Sequence, residues 1–198
     1  MKKKDLEIAL QKLKPIGSRS PQLEQYATPA IIASDILWDA YAAGDIEGKA
    51  VADLGCGNGI FCIGAKLLGA TLAYGIDVSP EAIAAARQNA AELSLEVEFE
   101  TGDISNAKGS FDTVIQNPPF GAQKRHADRP FIVKSLELAP KVYSLHMADT
   151  QEFVKKLVNS LGARCEPVKR FKFEIPYAFE FHTKPKETIT VVLLRFDR

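Results

Sequence analysis

The sequence is poor in the residues that staple small folds. It has three cysteines, Cys56, Cys62 and Cys165, with no C-x-x-C pair and no metal-ligand spacing. That argues against a disulfide framework or a structural zinc site and fits a reducing cytosol. No apolar run approaches the roughly 18 residues a membrane-crossing helix needs. The charged start, Met1-Lys2-Lys3-Lys4-Asp5, has no apolar stretch behind it and does not read as a signal peptide. There is no internal repeat and no low-complexity tract. The formal net charge is zero, which argues against indiscriminate nucleic-acid binding.

The 198 residues are 46% hydrophobic and 25% charged, enough for one soluble domain spanning 1–198. The zero net charge hides an asymmetry. Residues 1–110 hold 10 Lys and Arg against 15 Asp and Glu, and residues 111–198 hold 15 against 10. A basic half can carry a local phosphate-binding face; its alternative is an ordinary solvated surface.

Apolar spacing predicts a short helix over Leu6–Leu13, a loop over Ser18–Tyr26, and a helix opened by Thr28 as N-cap and Pro29 and closed by Gly44. Residues 1–44 thus form a helical cap. From residue 50, strands and helices alternate. Strands are expected at Ala50–Leu54, Leu72–Ile76, Leu95–Thr101, Phe111–Gln116 and Val142–His146. Helices are expected at Ile60–Leu68, from Ser79-Pro80 to Leu93, at Ile132–Leu138 and at Thr150–Leu161. Two long strand-like runs, Arg164–Ile175 and Glu187–Phe196, close the chain with no helix between them, as in an antiparallel hairpin. The pattern is an α/β fold: a mostly parallel sheet with helices on both faces, Rossmann-like, over residues 50–198. Ligands of such sheets sit beyond the strand carboxyl ends.

Two motifs lie at those ends. The first is Val51-Ala52-Asp53-Leu54-Gly55-Cys56-Gly57-Asn58-Gly59. Its glycines permit a tight strand-to-helix turn. A dinucleotide fingerprint would place the third glycine one residue later. Asp53, just before the loop, would repel a pyrophosphate but accept hydrogen bonds from an ammonium group. Asp77, at the end of the next strand, can accept both ribose hydroxyls, and Asp103-Ile104 can edge an adenine. A ligand with adenosine and a charged amino acid but no phosphate satisfies all three: S-adenosyl-L-methionine. Taken alone, Asp77 is equally a turn-forming aspartate.

The second motif is Asn117-Pro118-Pro119-Phe120 after the strand Phe111–Gln116. The prolines end the strand and stiffen the backbone, and a residue before proline is pushed away from helical geometry. The Asn117 side-chain carbonyl and the Pro118 carbonyl can then face one point. Two such acceptors take both protons of an amine and turn its lone pair toward a methyl donor. Phe120 can stack on a flat substrate.

With these residues in place, the chain resembles the class I S-adenosylmethionine-dependent methyltransferases. More closely it resembles the archaeal and eukaryotic methyltransferase-like protein 5 family, which methylates adenine N6 in small-subunit ribosomal RNA. The resemblance also covers Leu23-Glu24-Gln25-Tyr26, Val142-Tyr143-Ser144-Leu145-His146 and Phe181-His182. It implies a seven-stranded sheet and a cofactor lined by Gln25, Tyr26, Thr28, Asp53, Gly55, Gly57, Asn58, Gly59, Ile60, Asp77, Val78, Asp103, Ile104 and Asn117. It implies that Asn117, Pro118, Pro119 and Phe120 hold the target adenine, with direct transfer and no metal. It further implies a small zinc-binding activator of the Trm112 type, for which the expected edge strand 95–101 is the docking site. Lys124, Arg125, Arg129, Lys184 and Lys186 are the candidate RNA contacts. A flipped-out or single-stranded adenosine is the expected target. The competing readings are methylation of a protein glutamine amide, which also fits between two carbonyls, and a non-catalytic cofactor-binding RNA adaptor. His126, His146 and His182 are assigned to no metal.

Overall fold

In the computed structural model the structure describes residues 1–17, 28–120, 127–176 and 186–198. The helices are α1 (Lys3–Gln11), α2 (Ala30–Ala42), α3 (Ile60–Leu67), α4 (Pro80–Glu92), α5 (Arg129–Leu138) and α6 (Gln151–Ser160). The strands are β1 (Ala50–Leu54), β2 (Leu72–Asp77), β3 (Glu98–Thr101), β4 (Thr113–Gln116), β5 (Lys141–Met147), β6 (Arg164–Pro176) and β7 (Lys186–Asp197). They form one sheet in the order β3-β2-β1-β4-β5-β7-β6. The first five strands run parallel, and β7 is antiparallel to both β5 and β6. The α/β, mostly parallel architecture with a closing hairpin is the one expected.

Alternation along the strands sends side chains to two apolar layers. Val51, Ile115, Tyr143 and Leu193 face one layer, with Leu6, Leu37, Phe61 and Ile83 from the first four helices. Ala52, Val114, Val142 and Leu194 face the other, with Ile132, Leu136, Val154 and Val158 from α5 and α6. Because α1 and α2 bury residues in the same layer as α3, the N-terminal helices belong to the core.

Three local expectations are corrected. Thr28 does not cap α2: the cap position is Pro29, with no side-chain cap bond. The Thr28 hydroxyl instead accepts from Asn117 Nδ2 at 3.1 Å, a tertiary partner taken in preference to a local one. Strand β3 begins at Glu98 rather than Leu95; Leu95 and Val97 stay half-buried outside the ladder. Strand β4 begins at Thr113, because the Phe111 N–H turns to the Leu138 carbonyl (2.9 Å). The start of α4 is as expected: Ser79 Oγ accepts from the Ala82 N–H at 3.2 Å, with Pro80 in the first turn.

Candidate cofactor and substrate site

The sheet order reverses beside β1. The chain steps outward from β1 to β2 and β3, then returns to the other flank of β1 with β4. The carboxyl ends of β1 and β4 therefore bracket the topological switch point, where ligands of this architecture bind.

The glycine loop after β1 is held by its own backbone. Gly55, Gly57 and Gly59 all adopt positive φ, at 75°, 55° and 84°. The N–H groups of Gly55 and Cys56 donate to the Ile76 carbonyl at 2.8 and 3.0 Å. Gly57 N–H donates to Asp77 Oδ2 at 2.9 Å, and Ser79 N–H to Asp77 Oδ1 at 2.9 Å. Asp77 thus ties the loop to the end of β2 while each oxygen keeps a lone pair for a ligand. Glycine is required at 59 twice over: its φ is left-handed, and a Cβ there would stand 2.9 Å from Phe99 Cζ and 3.1 Å from Ala86 Cβ.

Two contributors to this loop were not legible as site residues. Asn89, 1% exposed, donates through Nδ2 to the Asn58 and Lys14 carbonyls (both 3.1 Å) and accepts from Lys14 N–H (2.8 Å). Asn58 Nδ2 donates to the Lys14 carbonyl as well, at 3.1 Å. A signal existed, since Asn89 interrupts the buried face formed by Ala82, Ala86 and Ala90 on α4. Phe131 is the second. A Cβ on Gly55 would lie 3.2 Å from Phe131 Cε1, so this α5 ring covers the loop. Nothing in the local sequence announces that contact.

The facing ends of β1 and β4 are different. Asp53 is 1% exposed and neither carboxyl oxygen has a hydrogen-bond partner among the described residues. Burial holds its carboxyl well above the ordinary carboxylate range, and the nearby Asp77 charge adds to the effect. Asn117 donates to Thr28, but its Oδ1 is buried without a donor among the described residues. By strand alternation Asp53 and Asn117 point to the same side of the sheet as Val51 and Ile115. A buried acceptor left alone costs about 1–3 kcal/mol. These acceptors fit a ligand that brings a cationic amine to Asp53 and an N–H to Asn117, which is the donor set of S-adenosylmethionine beside an exocyclic amine.

The remaining predicted residues surround that point. Val78 follows Asp77 with 46% of its surface exposed, an apolar platform at the rim. Gly102 N–H donates to the Asp77 carbonyl at 2.9 Å and joins the ends of β2 and β3. Asp103 is exposed; the Ser105 side chain, together with the Ser105 N–H at 2.8 Å, holds its carboxyl below its ordinary value. Ile60 and Ile104 are buried. Pro118 is buried; Pro119 and Phe120 are half-buried, and Phe120 meets Phe173 edge-on at 5.7 Å. Arg129 is the exposed first residue of α5, and Lys186 opens β7 far along the chain. Gln25, Tyr26, Lys124, Arg125 and Lys184 lie outside the described residues. Among the described residues no group of three or more His, Cys, Asp or Glu side chains is placed to hold a metal ion.

Comparison with known proteins agrees with this geometry. A family model described as a methyltransferase domain matches residues 46–161, the class that the fold and site define. The rRNA N(6)-adenosine-methyltransferase METTL5 of Danio rerio is 35% identical over 99% of this chain and 99% of its own length. The Drosophila melanogaster Mettl5 protein of the same description is 35% identical over 100% and 97%. The crystal structure of a proposed RNA methyltransferase, PH1948 from Pyrococcus horikoshii, superimposes with a TM-score of 0.92 at 43% identity, covering 100% of this chain and 98% of that one. The chain belongs to the METTL5 family of rRNA N6-adenosine methyltransferases.

Proposed function

We propose that this protein methylates N6 of an adenosine in RNA, in small-subunit ribosomal RNA, with S-adenosyl-L-methionine as methyl donor. The observation that carries the reading is the buried Oδ1 of Asn117 at the switch point, facing the same side as the carboxyl of Asp53, both without a donor among the described residues. Residues 1–198 act as one domain, and three buried free thiols suit the cytoplasm.

When bound, the cofactor supplies a methyl group on a positively charged sulfur. Asp53 accepts from its ammonium group, Asp77 from its ribose, and Val78 and Ile104 flank its adenine. The Asn117 side-chain carbonyl and the Pro118 backbone carbonyl accept the two N–H bonds of the target amine. That draws the nitrogen lone pair out of conjugation and aims it at the methyl carbon. Phe120 packs on the target base. Positioning and lone-pair orientation supply the catalysis. Arg129 and the basic positions Lys124, Arg125, Lys184 and Lys186 meet RNA phosphates.

We further propose that the open edge of β3 receives a small zinc-binding, Trm112-type activator by strand addition. The sheet order, with β3 at its edge among the described residues, supports this reading. So does the cavity of about 480 Å³ beside it, lined by Arg87, Leu95, Val97 and Phe99.

The test is incubation with tritiated S-adenosylmethionine and either total RNA or total protein, with and without such a partner. The expected outcome is label in one ribosomal RNA, released as N6-methyladenosine and cut by about a hundredfold with Asn117→Ala. Label in protein alone moves the assignment to glutamine methylation. Cofactor binding with no label under any condition supports the adaptor reading.

A further inference from the structure

The layer beneath α5 and α6 is apolar except for one stripe. Gln116, Ser135, Ser144 and His146 are 0–2% exposed, and Asp128 is 8% exposed. Ser144 and His146 stand opposite Leu194 and Val192 in the β5–β7 register, where aliphatic side chains would pack without any polar demand.

The stripe is one connected chain. Asp128 Oδ2 lies 3.0 Å from His146 Nδ1, and His146 Nε2 lies 2.8 Å from Ser144 Oγ. Gln116 Nε2 lies 3.1 Å from Ser144 Oγ and 3.5 Å from Ser135 Oγ. Ser135 has already given its proton to the Ile132 carbonyl at 3.0 Å. In the Nδ1–H tautomer, with Nδ1–H donating to the Asp128 carboxylate, Nε2 is the acceptor and Ser144 donates to it. Neither serine then has a proton left for Gln116. The amide must turn its NH2 toward both, and its Oε1 is left buried without a donor. Along Gln116, Ser144, His146 and Asp128 each donor points toward Asp128, while the Ser135 branch ends on the Ile132 carbonyl.

Stability does not account for this arrangement, because a buried polar chain gains little over an apolar replacement of similar volume and leaves one acceptor unsatisfied. Its position does account for it. Gln116 is the last residue of β4, directly before Asn117. On one side of the sheet Asn117 is held by Thr28; on the other, its neighbour is held by Ser144. Asp128 occupies the cap position of α5 yet makes no cap bond there, just as Thr28 makes none for α2. Both cap-type residues are spent on the two ends of one clamp.

We infer that Gln116, Ser144 and His146 are positioning residues, a one-way hydrogen-bond chain that fixes the end of β4 so that the Asn117 and Pro118 carbonyls converge on the substrate amine. The inference rests on the proposed role of Asn117. It concerns residues that touch neither cofactor nor base and act through Asn117.

The test uses the full-length protein with its active RNA substrate and compares Gln116→Met and Ser144→Ala, each alone and combined with Asn117→Ala. Turnover, RNA KM, cofactor Kd and melting temperature are measured for each. Gln116→Met should lower kcat by about tenfold or more, since small misplacements at a reacting centre are that costly. Cofactor Kd and RNA KM should stay within about twofold, and Ser144→Ala should show a smaller loss of the same kind. In the Asn117→Ala background neither change should lower kcat further, the non-additivity expected when one residue acts through another. Wild-type kcat in a folded Ser144→Ala and Gln116→Met overturns the inference, as does a loss that adds in full to that of Asn117→Ala. If Gln116→Met does not fold, Ser144→Ala alone decides. Wild-type turnover in Asn117→Ala overturns the catalytic reading itself, a different failure from the other two.

Discussion

The glycine loop and the end of β4 treat their polar groups in opposite ways. Around the loop a set of donors and acceptors is answered from within the protein: Gly55 and Cys56 by Ile76, Gly57 by Asp77, Asn58 by Lys14 and Asn89. At the end of β1 and β4, Asp53 and Asn117 keep buried oxygens with no partner among the described residues. The first region is built to hold a shape before any ligand arrives. On the proposed function, the second is completed by a ligand that supplies hydrogens. A preorganised loop secures position, and unsatisfied acceptors secure selectivity, because only a ligand with donors at those points removes the penalty.

The sharpest way to break this comparison is Asn117→Ala. Turnover should fall by about a hundredfold or more in labelling assays, while cofactor affinity by calorimetry stays within about threefold. Unchanged turnover with lost cofactor binding would move Asn117 out of the substrate half. Next in size is Gly59→Ala on the preorganised side. A left-handed φ costs a side chain about 1–2 kcal/mol, and the Cβ would press on Phe99 and Ala86, adding about 1–3 kcal/mol. A melting temperature within 2 °C or so of the wild type would contradict it.

Asp53→Asn follows, with cofactor affinity weakened about ten- to a hundredfold, as for one lost charge-assisted hydrogen bond of about 1.5–3 kcal/mol. This substitution also has a pH signature. The folded carboxyl is raised above its ordinary 3.8, so the folded state holds a proton that the unfolded chain has released. Stability of the free protein therefore falls as pH rises from that ordinary value toward the raised one, the reverse of a salt-bridged aspartate. Asn has no such charge, so melts across pH 4–8 should show a smaller loss for Asp53→Asn than for the wild type. Equal slopes would show that Asp53 ionises at no penalty. The smallest effect expected is from Thr28→Val, which removes the acceptor for Asn117 Nδ2. Turnover should drop about three- to fivefold, near 1 kcal/mol for one neutral hydrogen bond, with cofactor Kd little changed; a loss confined to Kd would assign Thr28 to the cofactor instead.

Much of the fold was legible because periodicity and punctuation are local. The glycine loop, the Ser79-Pro80 helix start and the two prolines after β4 each announce an element boundary through backbone chemistry that needs no distant partner. The parts that were missed share one property. Asn89 and Phe131 reach the loop from helices 30 and more residues away, and Thr28 and Asp128 give up nearby helix starts for partners across the sheet. Strand β3 was read three residues too long because the alternation of Leu95 and Val97 begins before its ladder to β2, which opens at Glu98.

What the sequence by itself determined is the order of strands and helices, the placement of Asp53, Asp77 and Asn117 at strand ends, and the resemblance that names the chemistry. What only the tertiary structure decided is which polar groups are already answered and which are left for a ligand. A side chain's hydrogen-bond partner is settled by competition among everything the fold brings within about 3 Å, and that competition has no expression in residue spacing.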